Sequence, residues 1–459
     1  MSNNNSAPDG FSFIQESHGI NEYNLKSNGL RVLTLSDRSA PVATFMVTYH
    51  VGSRNEAIGY TGSTHLLEHL MFKGSRNFNK KKGTAIWDEL QSIGAQINAT
   101  TWNDRTNYFE VVPSEHLEKA IAIESDRMRY AFLRDEDRQP EMTVVRNEFE
   151  RGENSPFDVL DKNIWATAYQ AHPYHHSTIG WRSDIENVST ERLKEFYNVY
   201  YWPNNATATI IGDFETSEAL ELVKKYFGEH SKSDNPIPDV YTAEPDQEGE
   251  RRVVVKRTGQ TGIVGVAHKT PSGLHQDTYA FQILSKTLTD GKSSRFYKGI
   301  VDKGLATSLF MYDFPFKDNG LFISYAFLTP NTNNQKERSE LQKIQVRDIR
   351  NLKDAYELKI KQIIQQNEED TKGHRQQILL MKAHVDEVRE KAQRKITETV
   401  QNMAAHFEQE RKEYVDLFTR DKERYKQQVL DATKTQRESY LRVLENHQKQ
   451  IEQIRNQGR

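Results

Sequence analysis

Apolar and polar positions alternate over short stretches in the front part of the chain, and turn residues punctuate them. Arg31-Val32-Leu33-Thr34-Leu35 and Thr207-Ala208-Thr209-Ile210-Ile211 have the two-residue period of half-buried strands. Helical stretches lie between them, and an apolar-rich one covers residues 62–74. The mixture predicts an α+β globular part. A polar linker over residues 231–250, with Pro236 and Pro238, marks a domain boundary. Beyond it, Arg252-Val253-Val254-Val255 and Gly262-Ile263-Val264-Gly265-Val266 read as strands opening a second unit.

From about residue 336 to 455 the pattern changes. Glu, Lys, Arg and Gln dominate, and apolar residues recur at three- and four-residue steps. Ile349, Leu352 and Tyr356 form one set, and Ile378, Met381, Val385, Val388 and Ala392 another. Met403, Phe407, Tyr414 and Leu417 continue it, and Leu444, His447, Ile451 and Ile454 close it. An a/d stripe on a charged helix describes a coiled coil, with its break at Gly373. Unbroken, such a helix would run on the order of 175 Å. Shorter amphipathic helices folded back as a bundle fit the same pattern. Composition breaks at the same place: all 13 prolines and all 5 tryptophans precede residue 331, and the glycines beyond it are Gly373 and Gly458.

Bulk properties narrow the function classes. A length of 459 residues suggests two to three domains. A net charge of −3 and a pI near 6.6 give no reason to expect nucleic acid or an anionic membrane as the main partner. Cysteine is absent, which excludes a disulfide framework, thiolate ligands and a thiol nucleophile. No apolar run is long enough to span a bilayer. The start MSNNNSAPDGFSF has no basic region followed by an apolar one, so no signal peptide is read. That favours the cytoplasm and leaves export open.

Chemistry concentrates in His65-Leu66-Leu67-Glu68-His69. On a helix, His65, Glu68 and His69 share one face. Two imidazoles one turn apart can hold a single Zn²⁺, and the carboxylate between them can take a proton from water. The order H-x-x-E-H is that of inverted zincins. A solvated helix face with two histidines and a glutamate is the alternative on the pentapeptide alone.

The flanks decide between them. Val51-Gly52-Ser53-Arg54-Asn55-Glu56, Gly62, the helix and Phe72-Lys73-Gly74 resemble the M16 (pitrilysin-like) metallopeptidases. The resemblance continues at Ile93-Gly94-Ala95-Gln96-Ile97-Asn98-Ala99-Thr100 and at Glu141-Met142-Thr143-Val144-Val145-Arg146-Asn147-Glu148. It runs on through Pro173-Tyr174, Ile179-Gly180 and residues 196–213, covering about residues 24–330. It implies a catalytic M16-type domain at 24–233, mostly antiparallel sheet with helices, after an N-terminal extension (1–23). A truncated second M16-like domain would cover 250–335 and the α-helical coiled-coil tail 336–459.

The same resemblance assigns roles. One zinc per chain would be held by His65, His69 and Glu148, with Glu68 as general base. Glu141, seven positions before Glu148, would orient a histidine from behind. Glu150 is a rival ligand without the seven-residue partner. Asn98, Ala99 and Thr100 resemble the family's edge strand, which binds substrate backbone by strand addition. His172, His175 and His176 fall in a family segment with no ligand role. The implied function is a zinc metalloendopeptidase acting on extended or unfolded peptides.

The chain departs from the family after residue 330, where a completing half-domain gives way to the charged tail. Residues 303–336 carry Tyr312 and Tyr325 but no arginine, whereas family members commonly supply both residue types to substrate. Peptide substrate aside, the expected partner is a second copy of the chain or another M16-like subunit. A coiled-coil assembly or binding protein with a truncated M16 module of little or no activity is the competing reading.

Overall fold

The computed structural model describes residues 7–259 and 261–330. The expected coiled-coil tail lies outside the described residues. The chain divides into two units, and residues 7–16 and 20–330 all belong to the first.

The chain opens with four strands, β1 (Phe11–Ser17), β2 (Ile20–Leu25), β3 (Arg31–Ser36) and β4 (Val42–Tyr49). Two short helices follow, α1 (Ser63–Leu70) and α2 (Ile86–Gln91), then the hairpin β5 (Gln96–Thr101) and β6 (Thr106–Pro113). Five helices come next: α3 (Leu117–Tyr130), α4 (Asp135–Asn154), α5 (Pro156–Ala168), α6 (Arg182–Asn187) and α7 (Thr190–Tyr200). Strand β7 (Ala206–Gly212) and helix α8 (Thr216–Phe227) complete the first part. After the linker come β8 (Ile263–Lys269), α9 (Thr278–Thr289), β9 (Ala306–Phe314) and β10 (Leu321–Leu328).

Seven strands form one sheet in the order β1-β2-β3-β7-β4-β6-β5. The recorded pairings are antiparallel except β3 with β7. Alternation along β4 buries Ala43, Phe45, Val47 and Tyr49 on one face, which α3 and α8 help to cover with Ile121, Leu220, Val223 and Phe227. The two strands expected at residues 31–35 and 207–211 are β3 and β7, adjacent and in parallel register.

The second sheet has the order β8-β10-β9, all antiparallel. Helix α5 packs on β8, with Ile164 beside Gly265, and Ile164 and Trp165 join a core with Tyr174, Phe316 and Tyr325. Gly265 permits this approach, because a Cβ there would lie 2.5 Å from Ile164 Cδ1. The strand expected at 252–255 does not form. That segment runs as irregular chain, with Val253 against the second core and Val254 67% exposed. One residue in and one out suits an irregular strap as well as a strand, and no strand is assigned there.

A buried guanidinium ties the β9–β10 turn to the first sheet's loops. Arg54 donates to Asp318 (2.6 Å), Asp239 (3.3 Å) and the Val240 carbonyl (3.1 Å). Tyr174 donates to Asp104 (2.7 Å), whose other oxygen accepts the Lys317 amide (2.9 Å). His172 Nε2 lies 3.0 Å from Asp318, so this histidine belongs to the clasp.

Candidate metal centre

Helix α1 is amphipathic in a strict sense. Leu66, Leu67 and Leu70 are fully buried, while His65, Glu68 and His69 occupy the half-buried opposite side. Its start is held by a carboxylate: Glu56 accepts the amides of Gly62 (2.8 Å) and Thr64 (2.7 Å). A negative group at a helix N-terminus is favourable, although burial pushes the Glu56 carboxyl up to about 8. Gly62 has φ +86, and a Cβ there would lie 2.5 Å from the Ile179 carbonyl, so the entry into α1 requires glycine.

Helix α4 packs across α1 and brings in the carboxylates. Glu148 Oε2 lies 3.5 Å from His65 Nε2 and 3.7 Å from His69 Nε2. One ligand atom from each of the three residues lies within 4.8 Å of the others, the one such cluster among the described residues. Tetrahedral zinc bonds place donor atoms about 3.3 Å apart, so the spacing fits the ion. Burial, then the neighbouring His69, lowers the His65 pKa to about 4, keeping a neutral ring with a free lone pair. His69 Nδ1 is 2.7 Å from Glu141 Oε1, which leaves Nε2 facing Glu148. Burial opposes charge on His69, but the bond to Glu141 and the nearby Glu148 carry its pKa above the ordinary value. The His69 bond and then Lys73, which pairs with the other Glu141 oxygen, lower Glu141 to about 2.

Glu68 accepts a hydrogen bond from Thr101 Oγ1 at the end of β5. Burial raises its pKa and Thr101 opposes that shift. Strand β5 is an edge of the large sheet, with Asn98 exposed and Ala99 buried. The Ala99 amide is taken by the Asn98 side chain (2.9 Å), and Thr100 Oγ1 donates to Asn107.

Glu150 points elsewhere, 3.7 Å from Arg182. His176 is buried beside Glu56, with Nδ1 3.7 Å from its carboxylate. Tyr325 is buried and donates to Asp161, whereas Tyr312 is exposed. Sequence reading missed Glu56, Lys73 and Thr101. Lys73 had a local signal, lying four residues after His69. Glu56 and Thr101 had none, since the loop and strand that carry them meet α1 only through packing.

Two family models cover adjacent parts of the chain. One, described as "Insulinase (Peptidase family M16)", matches residues 31–181, and the other, "Peptidase M16 inactive domain", matches 187–364. The chain is 34% identical over 319 residues to the "Zinc protease PqqE" of Helicobacter pylori, covering 68% of this chain and 71% of that one. It is 27% identical over 329 residues to an uncharacterized zinc protease of Streptomyces coelicolor, covering 69% and 70%. Among solved structures, a protease from Helicobacter pylori matches with TM-score 0.65 and 32% identity, covering 73% of this chain and 78% of that one. Pitrilysin, at 18% identity and TM-score 0.57, covers 70% of this chain and 36% of its own, and shares the fold. Helix α1 with its two histidines, the carboxylates on α4 and these matches lead to one conclusion: the chain belongs to the M16 peptidase family.

Proposed function

We propose that this chain is a zinc metalloendopeptidase that hydrolyses peptide bonds in extended or unfolded peptides, with one zinc per chain. The observation that carries this reading is the convergence of His65, His69 and Glu148, with Glu68 on the same helix face. Zinc bound there supplies Lewis acidity, polarising a carbonyl and acidifying water. Glu68 accepts the proton of the attacking water and returns it to the leaving amine. Its raised pKa suits both halves of that exchange. Glu141 holds the His69 ring so that Nε2 faces Glu148, and Lys73 holds Glu141.

Peptide binding is assigned to β5, an edge strand among the described residues. An added strand would displace the Asn98 carboxamide from the Ala99 amide and pair with the main chain at Asn98, Ala99 and Thr100. A folded protein has no spare backbone to offer. The competing reading, an assembly module of little turnover, leaves Glu68 and the complete ligand set without a use.

Metal analysis and peptide cleavage test the reading together. Wild type should contain one zinc and cut extended peptides well and compact proteins poorly. Glu68→Gln should keep the zinc and lose at least about a hundredfold in rate. A Glu68→Gln protein that still cuts, or that loses its metal, overturns the assignment.

A further inference from the structure

The two histidines of the metal centre are held in different ways. His69 stands in the second turn of α1, and its ring is tied at Nδ1 to Glu141 (2.7 Å). His65 is the third residue of the helix, in its first turn, and its Nδ1 is buried without a hydrogen-bond partner among the described residues. A metal-binding imidazole ordinarily gives its second nitrogen to an outer group that fixes the ring. His65 lacks that group, so its aim depends on packing and on the backbone that carries it.

That backbone lies at a helix end, where fraying begins. The helix spans eight residues, Ser63–Leu70, and the amides of its opening turn have no partner inside it. Gly62 stands at the N-cap and has no side chain to accept them. The Ser63 amide goes to the Tyr60 carbonyl (3.1 Å). The amides on either side of it go to one carboxylate, with Gly62 donating to Glu56 Oε2 (2.8 Å) and Thr64 to Oε1 (2.7 Å). Thr64 directly precedes His65, so Glu56 grips the chain beside the ligand.

Glu56 is itself firmly placed. Its amide donates to the Ser53 carbonyl (3.1 Å), and its side chain has no exposed surface. The other titratable groups that bear on it are His176, with Nδ1 3.7 Å away, and Asp184. Burial pushes the carboxyl up to about 8, while the Thr64 and Gly62 amides pull it down. A buried charged group is often no more stabilising than an apolar residue of similar volume. Here both oxygens are occupied, and both act on the turn that carries His65. We propose that Glu56 is the positioning residue of His65, holding the first turn of α1 through the Gly62 and Thr64 amides and so aiming the ring. One carboxylate then supports each histidine, Glu141 at the ring of His69 and Glu56 at the backbone of His65. This rests on the zinc peptidase reading above.

The test measures zinc affinity of the full chain by equilibrium dialysis, which reaches weak sites as well as tight ones. Glu56→Gln keeps the volume and one acceptor oxygen but turns a second donor on the amides, and Glu56→Ala removes both oxygens. Affinity should fall ~10–100-fold in Glu56→Ala and nearer tenfold in Glu56→Gln. Each change is then combined with His65→Ala and with His69→Ala, since residues that act through one another give non-additive losses. Without His65 the Glu56 changes should matter less than about twofold, and without His69 their full effect should remain. Thermal unfolding of the metal-free proteins checks that each variant is folded, and Glu56→Gln carries the test if Glu56→Ala is not. An equal loss in the absence of His65, or wild-type affinity in both Glu56 variants, overturns the positioning role while the peptidase reading stands. The expected coupling to His65 in a protein that binds zinc and cuts no peptide upholds the role and sinks the peptidase reading.

Discussion

Replacing Glu141 tests how the metal centre is held. Its carboxylate makes no direct contact with the proposed ion, so any loss of zinc must pass through His69, 2.7 Å away at Nδ1. Ionisation of Glu141 is secure at working pH, because the His69 bond and then the Lys73 pair lower its pKa to about 2. Outer partners of this kind typically contribute ~10–100-fold in metal affinity. Glu141→Ala removes both the acceptor and the charge and should lie at the upper end, about 2.7 kcal/mol. Glu141→Gln keeps an acceptor oxygen and should lie nearer tenfold. The sign with pH follows from His69. Its pKa in the metal-free protein is raised above 6.5, so below that raised value zinc must displace a proton. Apparent affinity should therefore fall as pH falls through that value, and the midpoint should move to lower pH in Glu141→Gln. His65, at about 4, carries no proton near neutrality and adds nothing to the slope. Competition against a chromophoric chelator across pH measures both effects, with thermal unfolding of the metal-free proteins as the control for folding. Wild-type zinc affinity in Glu141→Ala, or an unmoved midpoint in Glu141→Gln, would refute the argument.

Two further outcomes follow from contacts beside the site. Thr101→Val removes the hydrogen bond that holds the Glu68 pKa down, so the acid limb of kcat/KM should shift to higher pH with zinc content unchanged; a limb that stays put would show that Glu68 does not set it. Arg54→Met deletes the charge at the centre of the clasp with Asp318 and Asp239. Those carboxylates are partly exposed, so screening trims the loss to about 2 kcal/mol, read as a lower urea midpoint; an unchanged midpoint would show the clasp is not coupled to stability.

The short-range part of the site was legible along the chain. His65, Glu68 and His69 share a face because one helical turn sets it, and the seven-residue spacing of Glu141 and Glu148 works the same way. Strands β3 and β7 showed the two-residue period directly, and the parallel register between them did not. At 252–255 the same kind of apolar run misled, because alternation records which side chains are buried and not whether the backbone enters a ladder.

Assembly of these pieces belongs to tertiary packing. The His69–Glu141 bond spans 72 residues and the Thr101–Glu68 bond 33, and no local period encodes such distances. Glu56 reads as an ordinary loop acid until folding buries it against the amides of Gly62 and Thr64. The side chains of Trp102, Trp165, Tyr174, Phe314 and Phe316, drawn from β9, α5 and the loops around residues 102 and 174, likewise come together only once the second sheet docks on α5. Periodicity along the chain determined which residues could share a face, since neighbouring dihedrals alone fix that. Which faces meet is decided by burying the apolar sides of α1, α4 and α5 together, a choice made by the whole fold at once.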